Sequence, residues 1–190
     1  MSDSYYYDLT IKQSDHREAA IAKGSYEACV FESCNFESSD LAHIKFTDCE
    51  FIDCNLTLAN ISDTIFQDIT FHGCKMLGLH FEHCNSFGFS VEFKKCILND
   101  STFYQRSLQK TIFDSCELKH IDFGEADLTE ARFHDCDLTG ALFENTHLNG
   151  ANLQTAYNFI INPENNSLNK TVFAKEGLGG LLSHLNIVIK

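Results

Sequence analysis

The chain has 190 residues, 44% of them hydrophobic, and 27 Asp and Glu against 14 Lys and Arg give a formal charge of −13. That length fits one domain with a substantial core. The charge disfavours nucleic acid and anionic membrane and favours basic partners. No run approaches the roughly 18 apolar residues needed to span a bilayer, and Met1-Ser2-Asp3-Ser4-Tyr5 lacks an export signal. The expectation is a cytoplasmic protein with no membrane partner. One proline, no tryptophan and seventeen phenylalanines point to a monotonous architecture.

Residues 1–18 carry Tyr5-Tyr6-Tyr7 and a weak apolar period at Ile11, which suits an N-terminal cap. From Ile21 to Phe81, large apolar residues recur every five positions, through Tyr26, Phe31, Phe36, Leu41 and onward. The register resumes two residues later at Phe93 and runs to Leu153. Thirteen of the seventeen phenylalanines fall on these centres, and a mostly small residue precedes each centre by two. All nine cysteines occupy that small slot, if Ser86 counts as a degenerate centre.

A period of five matches neither a helix nor a continuous strand. The chain must turn regularly, with the centre and the residue two before it pointing inward. Residues twenty apart match, as in Phe93, Phe113 and Phe133 or Leu98, Leu118 and Leu138, which predicts four sides per coil. The fold class is therefore all-β, a right-handed quadrilateral parallel β-helix over residues 19–155 with a short C-terminal helical and strand cap. Roughly six and a half coils would stack at about 4.8 Å. The register break near 84–92 adds two residues around Phe87, Gly88 and Phe89, a bulge or bend in the rod.

Beyond Leu153 the period ends, and residues 156–190 read as a C-terminal cap and dimerisation segment. Asn162-Pro163-Glu164 has the pattern of a helix start. A second helix over about 175–185 would present Leu178, Leu181, Leu182 and Leu185 on one face, followed by a short strand Ile187-Val188-Ile189. Leu178, Leu181, Leu182, Leu185, Ile187 and Ile189 are the candidate dimer interface, the expected partner being a second copy.

No catalytic, cofactor-binding or metal-binding residues emerge. Buried small-slot cysteines read as packing, with parallel Cβ vectors in adjacent coils about 4.8 Å apart, longer than the roughly 3.8 Å between Cβ atoms of a disulfide. His43, His72, His80, His120, His134 and His147 fall at outward slots, His83 is turned away from Cys84, and no metal site converges. A packed rod offers no concave site for a nucleophile and base, so no enzyme is expected. The outward acidic residues Asp114, Glu117, Asp122, Glu125, Asp127, Glu130, Asp135, Asp137 and Glu144 are the candidate partner-binding surface. On a rod they can form rows of negative charge comparable to the phosphates of duplex DNA.

Ala126-Asp127-Leu128-Thr129-Glu130, Cys136-Asp137-Leu138-Thr139-Gly140 and Ala151-Asn152-Leu153-Gln154-Thr155 resemble the A(D/N)Lxx motif of the pentapeptide-repeat proteins. The ending Leu181-Leu182-Ser183-His184-Leu185-Asn186-Ile187-Val188-Ile189 is similar to that of the Qnr and MfpA quinolone-resistance proteins, and Asn162-Pro163-Glu164-Asn165-Asn166 to the microcin immunity protein McbG. The resemblance implies a dimeric, DNA-mimicking rod that binds DNA gyrase or topoisomerase IV and protects it from a quinolone or peptide toxin, without binding nucleic acid itself. The long loops of the Gram-negative Qnr proteins have no counterpart near 46–51 or 103–113, which favours the loopless members. An adaptor solenoid for an unrelated protein is the alternative.

Overall fold

The computed structural model describes residues 4–185 together with Ile187 and Val188. The chain coils as a right-handed, four-sided parallel β-solenoid of about eight turns. At about 4.8 Å per turn the rod is roughly 40 Å long. On the first face, β1 (Tyr5–Tyr7), β3 (Ser25–Glu27), β5 (Lys45–Thr47) and β7 (Ile65–Gln67) form one parallel sheet. The second face is a nine-stranded parallel sheet that runs the length of the rod. It takes β2 (Thr10–Lys12), β4 (Val30–Glu32), β6 (Glu50–Ile52), β8 (Ile69–His72), β9 (Val91–Lys94), β10 (Ile112–Asp114), β11 (Arg132–His134), β12 (Asn152–Leu153) and β13 (Val172–Phe173) in that order. The third and fourth faces are held by isolated parallel bridges such as Asn35 to Asn55 and Thr102 to Asp122.

The register is twenty residues per turn below the break, Phe31 opposite Phe51, and twenty again above it, Phe113 opposite Phe133. Between β8 and β9 it is twenty-two, Phe71 opposite Phe93, so the two extra residues lie where the sequence places them. The centres form stacked columns. Phe31, Phe51, Phe71, Phe93, Phe113 and Phe133 lie ring over ring with centroids 4.7–5.4 Å apart, and neighbouring columns meet edge to face. All six are essentially inaccessible to solvent. Such pairs add to their area burial.

The small slot has a second requirement besides size. Its side chain donates a hydrogen bond to the carbonyl of a centre residue one coil below, as Cys49 Sγ does to Tyr26 O (3.4 Å), Thr64 Oγ1 to Leu41 O (2.8 Å) and Thr146 Oγ1 to Phe123 O (2.9 Å). Cys, Ser and Thr are the small residues that carry such a donor. On the third face the slot holds Cys34, Cys54, Cys74, Cys96, Cys116 and Cys136 in successive coils, all buried. Burial pushes the Cys49 thiol up to about 11 and the Cys84 thiol up to about 12. Cys74 and Cys116 are raised chiefly by hydrogen bonds with the neighbouring thiols, and by burial after that. All nine are buried, and their role is packing in the small inward slot.

Where the outward residue just before a centre is Asp or Asn, it builds the turn. Asp122 Oδ1 accepts the Gly124 N–H (2.7 Å), Asp127 Oδ1 the Thr129 N–H (3.0 Å), and Asn55 Oδ1 the Thr57 N–H (3.1 Å). This is an Asx turn, which Asp and Asn make equally. The residue two after each centre then turns the corner with φ mostly between 49° and 61°, even where it is Leu58, Lys110 or Glu125. Left-handed backbone costs about 1–2 kcal/mol in a non-glycine residue. The corner N–H gains an inter-coil bond in exchange, Asp53 N–H to His72 O at 2.8 Å.

Several expectations change at the ends. Residues 5–18 are not a separate cap: Tyr6 pairs with Tyr26 and Ile11 with Phe31, so the N-terminal segment forms a coil in register with the next. The period does not stop at Leu153 either, because Leu153 pairs with Phe173 and His147 bridges Ser167. These extra coils account for about eight turns rather than six and a half. Asn162 starts no helix. Its Oδ1 accepts the Glu164 N–H (3.0 Å), the same Asx turn made lower in the rod. A helix cap and an Asx turn use one acceptor chemistry, so the local pattern cannot separate them.

The helix expected over 175–185 is broken into a 3₁₀ turn at Lys175–Gly177, one turn of α-helix α1 (Gly179–Leu182) and a 3₁₀ turn at Ser183–Leu185. Glycines at 177, 179 and 180 disfavour a continuous helix. They also permit close docking across the end of the rod: a Cβ on Gly180 would lie 2.2 Å from Phe159 O, and Ile161 N–H donates to Gly180 O (3.1 Å). Phe159 and Ile161 are buried beneath this tail. Ile187 and Val188 are not in a strand, and Ile189 lies outside the described residues. Among the described residues no helix is long and apolar enough to cross a membrane.

Candidate functional site

The core is spent on stacking, so recognition falls to the outward positions and the C-terminal end. The nine carboxylates singled out from the sequence do not share one face. Asp114 and Asp135 lie on the second face or its corner, Glu117 and Asp137 on the third, Asp122, Glu125 and Glu144 on the fourth, and Asp127 and Glu130 on the first. Several of them are also structural.

Asp137 is 9% exposed. It accepts from Thr139 N–H (3.1 Å), Thr139 Oγ1 (2.6 Å) and Asn158 Nδ2 (2.9 Å), and Lys119 Nζ lies 3.5 Å away. Desolvation pulls its carboxyl upward, but the bonds from Thr139 and Asn158 and the Lys119 charge together hold it below the usual range. Asp127 is lowered against the same desolvation by bonds from Thr129 and Gln109. The His134 ring, 3.0 Å away, and the Ser115 hydroxyl lower Asp114. Bonds from Gln105 and Tyr104 lower Glu125.

Carboxylates are spread over all four faces, but one face is nearly free of base. The fourth face and its corner, around Leu41, Ile61, Phe81, Phe103, Phe123 and Phe143, present Asp40, Asp63, Glu82, Asp122, Glu125 and Glu144. Its basic side chain is Lys23 at the N-terminal end, already paired with Asp40 at 2.8 Å. The opposite face, the nine-stranded sheet, mixes signs: Lys12 pairs with Glu32, and Lys94 lies 3.2 Å from Glu92, with Arg132 nearby. Asp40, Asp63 and Glu82 belong to the acidic face and were not distinguishable in sequence from carboxylates elsewhere. The signal is position modulo twenty: Asp40, Asn60 and His80, then Thr102, Asp122 and Leu142, occupy one slot in successive coils, with the break between His80 and Thr102.

The apolar candidates of the tail separate into two kinds. Leu181 packs against the core of its own solenoid. Leu178, Leu182, Leu185 and Ile187 are exposed, with Val188 84% accessible beside them.

The expectation that no ligand-bearing side chains converge fails at one place: the His80 and His83 rings lie 5.4 Å apart and nearly parallel, with the Glu82 carboxylate beside both.

Four-sided coils of twenty residues, a small hydrogen-bonding inward slot and an Asx corner define a β-solenoid built from five-residue repeats. The pentapeptide repeat region model matches residues 24–87 and 80–153, and the chain belongs to the pentapeptide-repeat family. No curated protein matches the sequence. Solved structures similar in fold include QnrB1, a plasmid-mediated fluoroquinolone resistance protein, at 18% identity over 98% of this chain and 100% of that one, with a TM-score of 0.42. HetL, a pentapeptide-repeat protein involved in heterocyst differentiation regulation from the cyanobacterium Nostoc sp. strain PCC 7120, is 15% identical over 92% of this chain and 88% of its own, with a TM-score of 0.47. Rfr23 from the cyanobacterium Cyanothece 51142 is 21% identical over 66% and 88%, with a TM-score of 0.24.

Proposed function

We propose that this solenoid is a cytoplasmic homodimer whose acidic fourth face occupies a cationic, DNA-binding groove of a bacterial type II topoisomerase and shields that enzyme from a quinolone or peptide toxin. The observation that carries the reading is the depletion of base on the fourth face, where the carboxylates face one Lys at the end, while the opposite sheet sets a similar number of carboxylates among Lys12, Lys94, Lys95 and Arg132. The spacing sets what such a face can do. About one carboxylate per 4.8 Å coil is sparser than the one phosphate per 3.4 Å along a DNA strand. The face therefore suits a local stretch of groove rather than replacing a full duplex, and its attraction is long-range and salt-sensitive. The exposed Leu178, Leu182, Leu185 and Ile187 supply a self-complementary apolar end, and the resemblance of that tail to the Qnr and MfpA proteins supports the same partner.

The test is a gyrase supercoiling assay run with and without a quinolone or microcin. Inhibition of gyrase, or restored supercoiling in the presence of the inhibitor, is the expected result. A protein that neither binds, inhibits nor protects gyrase or topoisomerase IV overturns the reading and leaves an adaptor solenoid for a different basic partner.

A further inference from the structure

We infer that His80, Glu82 and His83 form a binding site for a borderline divalent cation of the zinc class on the fourth face. The site exists because one corner of the solenoid is built differently. At Asp63 in the coil below and Gln105 in the coil above, the residue two after the centre is left-handed, with φ of 54° and 57°. At Phe81–His83 the chain instead makes a 3₁₀ turn, closed by His83 N–H to His80 O (3.2 Å) and Cys84 N–H to Phe81 O (3.0 Å). The two-residue insertion follows within a few residues, between Asn85 and Ser90. The tighter turn swings the His83 ring back over that of His80 and sets the Glu82 carboxylate against both.

One ligand atom from each of the three side chains lies within 4.8 Å of the other two. Glu82 Oε1 is 2.8 Å from His80 Nδ1 and 3.9 Å from His83 Nε2. Zinc bonds of about 2.0–2.2 Å place tetrahedral donors roughly 3.4 Å apart, so the two separations from Glu82 bracket that value and the imidazole nitrogens close the set within 4.8 Å. Glu82 is the anchored member. Its side chain is only 21% exposed, its Oε1 faces the two imidazoles, and its second oxygen, Oε2, is buried without a hydrogen-bond partner. The imidazoles are 63% and 60% exposed and form the wall of a cleft of about 200 Å³ over Asn60 and Ser62, which leaves room for water as a fourth ligand. Two imidazoles and a carboxylate select zinc, nickel or copper over magnesium and calcium, and the surrounding acidic face raises the local cation concentration.

Isothermal titration of the full-length protein with zinc chloride, in a non-chelating reducing buffer, tests the site. One zinc per chain is expected, with no heat from magnesium chloride. His80→Gln and His83→Gln should each weaken binding by about tenfold or more, while His134→Gln, on the opposite face, leaves it unchanged. Both rings are exposed, and matching far-UV circular dichroism confirms that the variants fold. Absence of zinc binding by the wild type overturns the inference, as does undiminished binding by the His80→Gln/His83→Gln double variant, which would move the metal to another group.

Discussion

Replacing Asp137 separates the structural role of the acidic motif position from a purely surface role. The Asp137 carboxylate is 9% exposed and receives the Thr139 amide, the Thr139 hydroxyl and the Asn158 amide, with Lys119 nearby. Asp137→Ala leaves these donors unpaired at a corner that water reaches poorly. Hydrogen bonds to a charged group contribute about 1.5–3 kcal/mol each when lost individually, and because the donors share one acceptor and relax together, the whole substitution should cost about 2–3 kcal/mol. Asp137→Asn keeps the amide oxygen that accepts the Thr139 N–H, as Asn55 and Asn152 do elsewhere in the rod. Its cost should stay below about 1 kcal/mol. Urea unfolding followed by circular dichroism, with midpoints compared at equal slope, measures both. Equal losses for the two variants would refute the Asx-turn account and make charge the determinant.

Phe113→Ala removes a ring stacked between Phe93 and Phe133 and should cost about 3–5 kcal/mol in the same experiment, whereas the half-buried Tyr6 in the terminal coil should cost clearly less on truncation. Gly180→Ala drives a Cβ into Phe159 O, and should release the tail, seen as new proteolytic cleavage after residue 174 while the coils stay intact. Leu58→Gly relieves a left-handed corner at an exposed side chain and should raise stability by about 0.5–1 kcal/mol, strain relief exceeding the entropy lost. Asp114, Glu125, Asp127 and Asp137 all have lowered folded values. Their contribution is therefore complete above the unfolded values near pH 4 and is lost as pH falls through the folded ones, so the melting temperature should begin to drop below about pH 4.

How much of this was legible in the sequence depends on which groups set each feature. The coil length, the columns and the inward cysteines follow from side chains that repeat every five and twenty residues, because the core allows few alternatives at Phe113 or Cys116. The ends were misread for the opposite reason. Ile11, Leu168 and Phe173 hold the period with neighbours that break the motif, and Asn162 offers the acceptor that both a cap and a corner use. The convergence of His80, Glu82 and His83 was hidden because strand alternation holds only while the corner is left-handed. The acidic face was hidden in another way: carboxylates fill outward slots on all four sides, and only the coil geometry sorts Asp122 and Glu144 from Asp127 and Asp135.

Charge reversal on opposite faces tests the central functional claim most directly. Asp122→Lys/Glu125→Lys/Glu144→Lys and a control, Glu50→Lys/Asp53→Lys/Asp114→Lys, change net charge equally, and both can be titrated against purified gyrase at low and physiological salt. Loss of gyrase binding confined to the fourth-face variant is expected. Equal effects of the two variants, or binding that survives reversal of the fourth face, would contradict a groove-filling acidic face.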